Sequence, residues 1–175
     1  VAIVPTDRGM PPERPRVPAG PVIQETSGGG TPAMTVQDLL ADAHEADQFD
    51  WLATSQLVIA DIHTGDLRLL GEPGVYVEAD FSPDGNWLLV SRLQRPYTYH
   101  TPWSAFPRLT EVWSRDAGQV ITIAASSPEN VVSRDGGERR MIGWQDNHAA
   151  RMIWAEVLPF STDNDTGVPG DRVMG

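Results

Sequence analysis

The chain has 175 residues, no cysteine, and a net charge of −11 from 24 acids and 13 bases, every base an arginine. An acidic chain without a basic cluster argues against nucleic acid and anionic membrane surfaces as partners. No apolar run reaches the ~18–20 residues of a membrane helix. Without cysteine there is no disulfide, no thiolate nucleophile and no Cys-ligated zinc. The start at Val1 and the polar stretch from Gly167 to Gly175 read as cuts, so the chain is expected to be a piece of a larger protein.

Residues 1–34 are expected to be irregular and Pro/Gly-rich. Pro5, Pro11, Pro12, Pro15, Pro18, Pro21 and Pro32, with the run Gly28-Gly29-Gly30, forbid a helix and confine any strand to an edge. Only Val22-Ile23-Gln24 has the character of a short strand. Residues 35–53 form the helical unit, with the helix itself read from Thr35 to Trp51. Thr35 is the expected N-cap, with Asp38 completing a near capping box. Val36, Leu39, Leu40, Ala43, Ala46 and Phe49 recur at helical spacing, which leaves Asp42, Glu45 and Asp47 on the wet side.

From residue 54 to 160 the pattern is one of short strands. Gln56 to Asp61 and Leu67 to Leu70 form a hairpin around a turn containing Gly65. Val75 to Phe81 and Trp87 to Leu93 form a second hairpin around Ser82-Pro83-Asp84-Gly85. There Pro83 presets φ, Asp84 bonds back to the backbone and Gly85 accepts positive φ. A long connection, Arg92 to Leu109, precedes a hairpin of the first type: Glu111 to Ser114, a turn through Gly118, and Val120 to Ala124. A further hairpin of the second type joins Met141 to Trp144 with Arg151 to Val157. Residues 161–175 are a polar linker or the start of another unit.

The Ser-Pro-Asp-Gly hairpin, with Phe81 before it and Trp87 after it, resembles the middle hairpin of a β-propeller blade. Gly65 aligns with Gly118 and Phe81 with Trp144, so a loose internal repeat of four short strands is visible. The fold class read from this is mainly β: a partial β-propeller of about two blades of antiparallel strands, with part of a third. One N-terminal helix and the Pro/Gly-rich segment precede it. A β-sandwich of meandering strands is the competing architecture.

A more specific resemblance lies in an ordered set of segments. These are Gly20-Pro21-Val22-Ile23-Gln24-Glu25, Thr35-Val36-Gln37-Asp38-Leu39-Leu40, Tyr97-Thr98-Tyr99, Phe106-Pro107 and Glu111-Val112-Trp113-Ser114-Arg115-Asp116. The set resembles the propeller domain of prolyl-oligopeptidase-type serine peptidases of the glutamyl endopeptidase subgroup, over most of residues 7 to 157. The resemblance implies a parent enzyme in which a propeller caps a C-terminal α/β-hydrolase domain carrying Ser, Asp and His, absent from this chain. It implies peptide substrates cleaved after acidic residues, no metal or organic cofactor, and a bacterial periplasmic or secreted setting.

No catalytic residue is expected in this chain. A peptidase of that fold needs Gly-x-Ser-x-Gly, because a strained strand-to-helix turn must lift the Ser hydroxyl toward His. The sequence contains no such segment, and Ser27, before three glycines, lacks the setting. His44, His63, His100 and His148 show no metal-ligand spacing and read as solvent-facing or capping residues. Asp163-Asn164-Asp165-Thr166-Gly167, with Asp171 beyond, faintly resembles a Ca²⁺ loop but lacks the bidentate Glu, so polar turn chemistry explains it better. The tryptophans beside strands and helix are assigned to the core.

The substrate-contact candidates are Arg92, Arg95, Tyr97 and Tyr99 on the long connection. Long loops on rigid scaffolds carry function disproportionately, and an arginine beside tyrosines suits a peptide carboxylate. For each residue taken singly, the default is packing between blades with the arginines paired to local Asp or Glu. Two roles follow: a non-catalytic propeller controlling substrate access and docking for the hydrolase domain, or a non-enzymatic TolB-like propeller binding a protein partner. Either way, the isolated chain is expected to be marginally stable or to associate through open blade edges. A calorimetric scan and sedimentation run check this, and a monomer with a sharp cooperative melt overturns it.

Overall fold

A computed structural model describes residues 1–14, 39–126, 139–158 and 171–175. Its elements are strand β1 (Ala2–Pro5), helix α1 (Ala43–Ala53), and strands β2 (Ser55–Ala60), β3 (Leu67–Phe81), β4 (Trp87–Leu93), β5 (Arg108–Ser114) and β6 (Val120–Ala125). Strands β7 (Arg139–Trp144), β8 (Met152–Val157) and β9 (Asp171–Met174) follow. Every neighbouring pair is antiparallel, in one six-stranded sheet ordered β1 to β6 and one three-stranded sheet ordered β7-β8-β9. The mainly β class is thus observed, with one α-helix among the described residues. Those residues close no ring of sheets.

Strand β3 joins the segments that the sequence divided into Leu67–Leu70 and Val75–Phe81. Its first part pairs with β2 and its second with β4. Between them the strand bends at Gly71, where φ is +66°, beside Pro73, which offers no ladder donor. The bend takes carbonyls out of regular pairing, and side chains answer them. Gln56 Nε2 donates to the Leu70 and Gly71 carbonyls at 2.8 and 3.0 Å, and the Tyr76 hydroxyl donates to Glu72 O at 2.5 Å. Buried backbone acceptors are almost always satisfied in this way.

The bend brings Leu57 and Leu70 onto Tyr76, Leu88, Val90 and Trp113, which form the main buried cluster. The opposite face of the β3–β6 part of the sheet, defined by alternation at Trp87, Leu89 and Leu93, is covered at its two ends by different partners. At one end α1 and the connection pack Ala46, Tyr97 and Phe106 on Leu93, with Val75 and Val77 alongside. At the other, Trp144, Ala150 and Met152 of the β7–β8 hairpin line an apolar cavity of about 180 Å3 with Trp87, Val112, Ile121 and Ile123. Trp144 Nε1 donates to Asp80 O at 3.0 Å, and Asp84 N to Ala149 O at 3.0 Å, which ties the smaller sheet to the larger.

Two turns share one hydrogen-bond plan. Ser82 Oγ donates to Asp84 Oδ1 at 2.6 Å and accepts from Trp87 N at 3.0 Å; Ser114 Oγ donates to Asp116 Oδ1 at 2.6 Å and accepts from Gln119 N at 2.9 Å. Each serine hydroxyl, helped by backbone N–H groups, holds its aspartate below the usual carboxylate range. The turn plan therefore repeats between Ser82–Trp87 and Ser114–Gln119, across the two hairpin types. The Gly65 turn, which aligns with Gly118 in sequence, is held by other bonds, from His63 N and Thr64 N to Asp61 Oδ1.

Helix α1 begins later than its apolar periodicity predicts. Asp42 is the N-cap, accepting from Glu45 N at 2.9 Å, while Glu45 Oε2 accepts from Ala41 N at 2.7 Å. Residues 39–42 are not helical; the expected cap at Thr35 lies outside the described residues, as do Val22-Ile23-Gln24 and Asp163–Gly167. Asp42 and Glu45 are thus capping groups at the helix start, where the N-terminal dipole favours carboxylates. Nor is the N-terminus irregular throughout: Ala2–Pro5 pairs with β2 as an edge strand, with Pro5 at its end.

Gly71 supplies the fold's sharpest test. A Cβ there would sit 2.5 Å from the Trp113 ring, at a positive φ that side chains rarely adopt. Gly71→Ala is expected to destabilise the chain by about 2–4 kcal/mol, read as a fall in the urea midpoint. Gly65→Ala, with nothing within 4 Å of its Cβ, has only its backbone strain at φ +79° to bear and should cost less. Equal midpoints for the two variants overturn the account of the bend.

Candidate functional site

The connection between β4 and β5 is a closed loop. Gln94 N donates to Pro107 O at 2.8 Å across its base, and Ala105 N and Phe106 N return to Pro102 O and Trp103 O at 2.9 and 3.1 Å. Thr98 and Thr101 hydroxyls meet at 2.5 Å, and Thr101 N donates to Thr98 Oγ1 at 3.2 Å. The Tyr97 and Phe106 rings stack with centroids 4.7 Å apart. A surface loop with joined ends, packed by its own side chains, has the character of an Ω-loop.

Helix α1 pins this loop. Arg95 Nε donates to Asp50 Oδ2 at 2.5 Å and its Nη2 to Asp47 Oδ1 at 2.6 Å. The Tyr97 hydroxyl donates to the other oxygen of Asp50. Phe49 meets Tyr97 and Phe106 edge-on at 5.2 and 5.6 Å. The arginine also lies over the Tyr97 ring, 5.6 Å from its centroid. One helical turn therefore presents two carboxylates and an aromatic ring to a single loop.

The four candidate residues fall in different surroundings. Arg92 lies on β4 with its Nε 3.3 Å from Glu111 Oε2, an ion pair whose N–H is not aligned for a hydrogen bond. Glu111 is 5% exposed and accepts from Trp113 Nε1 at 3.2 Å. Removing Arg92 would leave the buried Glu111 carboxylate without its counter-charge. Arg95 and Tyr97 are occupied by α1, and Tyr97 is 8% exposed. Tyr99 stands at the loop tip, 41% exposed. Asp47 and Asp50 escaped the reading of the sequence, which placed Asp47 in solvent. Their i, i+3 spacing, which puts both on one helix face, was the available signal.

Among the described residues no hydrogen bond joins a serine hydroxyl to a histidine ring, and no three His, Asp or Glu side chains gather as a metal site. No described helix is long and apolar enough to cross a membrane.

No protein-family model matches the chain, and no solved structure does. Two curated plant proteins match it along almost its whole length. One, from Oryza sativa subsp. japonica, is named "Probable glutamyl endopeptidase, chloroplastic" and is 38% identical over 163 residues. The other, from Arabidopsis thaliana, carries the same name and is 37% identical over 163 residues. The chain is thus similar to two proteins that bear a peptidase name. Each alignment takes in 90% of this chain and only 17% of the relative's length.

The two phenols held by the fold give a pH signature. Burial raises Tyr76 above the ordinary value of 10.0, and burial reinforced by the Asp50 carboxylate raises Tyr97 further. A phenol with a raised folded pKa contributes stability that is fully present below its unfolded pKa and lost as pH climbs through the folded one. Absorbance at 295 nm is thus expected to show Tyr76 and Tyr97 ionising only above pH 10, together with alkaline unfolding, and Tyr97→Phe should soften that loss. Ionisation of both at pH 10 in a folded chain overturns the assignment.

Proposed function

We propose that this chain is the non-catalytic propeller part of a larger serine peptidase of the prolyl-oligopeptidase type, which hydrolyses peptides after acidic residues. In this reading it controls how peptides reach and dock at an α/β-hydrolase domain of the same parent protein. The observation that carries the proposal is the four-stranded antiparallel meander from Val75 to Ala125, with sheet layers on both of its faces. Radially layered four-stranded meanders are the construction of a propeller. The second half of β3 with β4, β5 and β6 then makes one whole blade. Strands β1–β2 with the first half of β3, and β7–β8–β9, belong to its neighbours.

The names of the two relatives support the peptide chemistry; in this reading the nucleophile sits elsewhere in the parent, in a Gly-x-Ser-x-Gly setting of the kind this sequence lacks. Contact with the peptide falls to the β4–β5 connection. Arg95 and Tyr97 fix that loop to α1, Tyr99 reaches the surface, and Arg92 lies on β4 paired to Glu111.

The test compares the 175-residue chain with the full-length gene product on fluorogenic peptides carrying Glu, Gln or Lys before the scissile bond. The full-length protein is expected to cleave after Glu and the chain alone to cleave none. Hydrolysis by the chain alone, or no peptide hydrolysis by the full-length protein, overturns the proposal.

A further inference from the structure

The β7–β8 hairpin meets the larger sheet across a gap that the side chains of neither fill. Trp87, Val112, Ile121 and Ile123 form one wall, from β4, β5 and β6; Trp144 and Met152 form the other, with Ala150 between them. The space between is about 180 Å3. No lining residue is charged, in a chain where charged residues make up 21%. Val112 alone among them is fully buried, and Ile121 is 51% exposed, so the gap opens to solvent.

Apolar walls this close ordinarily collapse onto each other, because interiors pack to the density of organic crystals and voids are costly. Here polar ties fix their spacing. Trp144 Nε1 donates to Asp80 O, Asp84 N to Ala149 O, and Arg139 Nη1 to Ile123 O, each at 3.0 Å. Arg139 also lies over the Trp154 ring, 4.8 Å from its centroid, which joins β8 to the same anchor. Drawing the walls together would break hydrogen bonds to β3, to the Ser82–Trp87 turn and to β6 at once. Water in the gap meets mostly carbon, since Trp144 spends its single donor on Asp80, and a water needs two to four polar partners to be held well. An apolar body there displaces poorly held water, which favours binding.

We propose that this gap is a binding site for a small uncharged aromatic molecule, one ring in size. The volume sets the size, since an apolar cavity of about 150 Å3 takes benzene. The walls set the charge: they hold no counter-ion, so a charged analogue would lose hydration with nothing in exchange. Trp87 and Trp144 offer ring contacts to the ligand, and Met152 a polarizable sulfur. The site goes beyond the peptidase reading and shares no residue with the β4–β5 connection. A ligand held there by the folded chain alone would brace the junction between the two sheets.

The test titrates toluene, benzylammonium and benzoate into the 175-residue chain and, in parallel, into the full-length gene product. Tryptophan fluorescence and the melting temperature are read in each case. Toluene is expected to bind with a dissociation constant of about 0.1–1 mM and to raise the melt, and each charged probe to bind about tenfold more weakly. Ala150→Leu fills the gap from an exposed position, and is expected to abolish the toluene response without lowering the melt of the free protein. Ile121→Ala removes part of one wall and should weaken toluene about fivefold. Leu69→Ala, 68% exposed and outside the lining, should change nothing. A response in the full-length protein alone upholds the site, because an unfolded chain has no walls. Equal affinity for the three probes, a toluene response unchanged in both wall variants, or no response in either protein overturns it. Benzylammonium binding more tightly than toluene overturns it in favour of a cation site.

Discussion

Strand β3 serves two layers, and it can do so because Gly71 lets the chain pass under the Trp113 ring. Any side chain at that position would occupy the space of the indole, which is itself fixed by Glu111 and by an edge-on contact with Tyr76. A straight β3 of 15 residues would continue the sheet flat and leave Leu57 and Leu70 in water. The bend instead closes them over Leu88 and Val90, the driest part of the molecule. Burial of this kind is the dominant favourable term in folding, at roughly 25 cal/mol per Å2 of apolar surface. The cost of the bend is three displaced carbonyls, and Gln56 and Tyr76 meet all three.

The same bend determines what the other face of the sheet can hold. With the β1–β2 layer folded to one side, the alternating residues Val75 and Leu93 are left to receive α1, and Trp87 and Val112 to receive the β7–β8 hairpin. The helix in turn carries Phe49, Asp47 and Asp50 to the β4–β5 loop. Glycine at position 71 thus reaches the loop tip through three packed contacts, each between elements far apart in sequence. An error at the first would be felt at the last as a loop that is present but poorly aimed, a failure that a simple measure of folding would miss.

Much of this was legible in the residues. The Ser82-Pro83-Asp84-Gly85 turn follows from chemistry local to the turn, and strands β4, β7 and β8 fall close to where their apolar runs place them. The helix start was misread for an instructive reason. Leu40 still packs with the α1 cluster, so its apolar character is real, but it arrives from an extended approach that precedes the Asp42 cap. Periodicity reports which residues are buried, and only the capping groups report where the helix begins. The joining of the two halves of β3 was hidden because Gly71, Pro73 and Gly74 interrupt the apolar run between Leu70 and Val75. What makes them a bend is Trp113, more than 40 positions away.

The site was harder to read because its decisive contacts are also distant. Arg92 and Arg95 look alike in sequence, yet one answers a buried glutamate across a strand and the other two aspartates on a helix. Among the described residues of so acidic a chain, an arginine near a carboxylate is the ordinary outcome, and here it ties Arg92 to β5 and Arg95 to α1. Arg95 is thereby spent on holding the loop to α1, and Arg92 on neutralising Glu111 between β4 and β5.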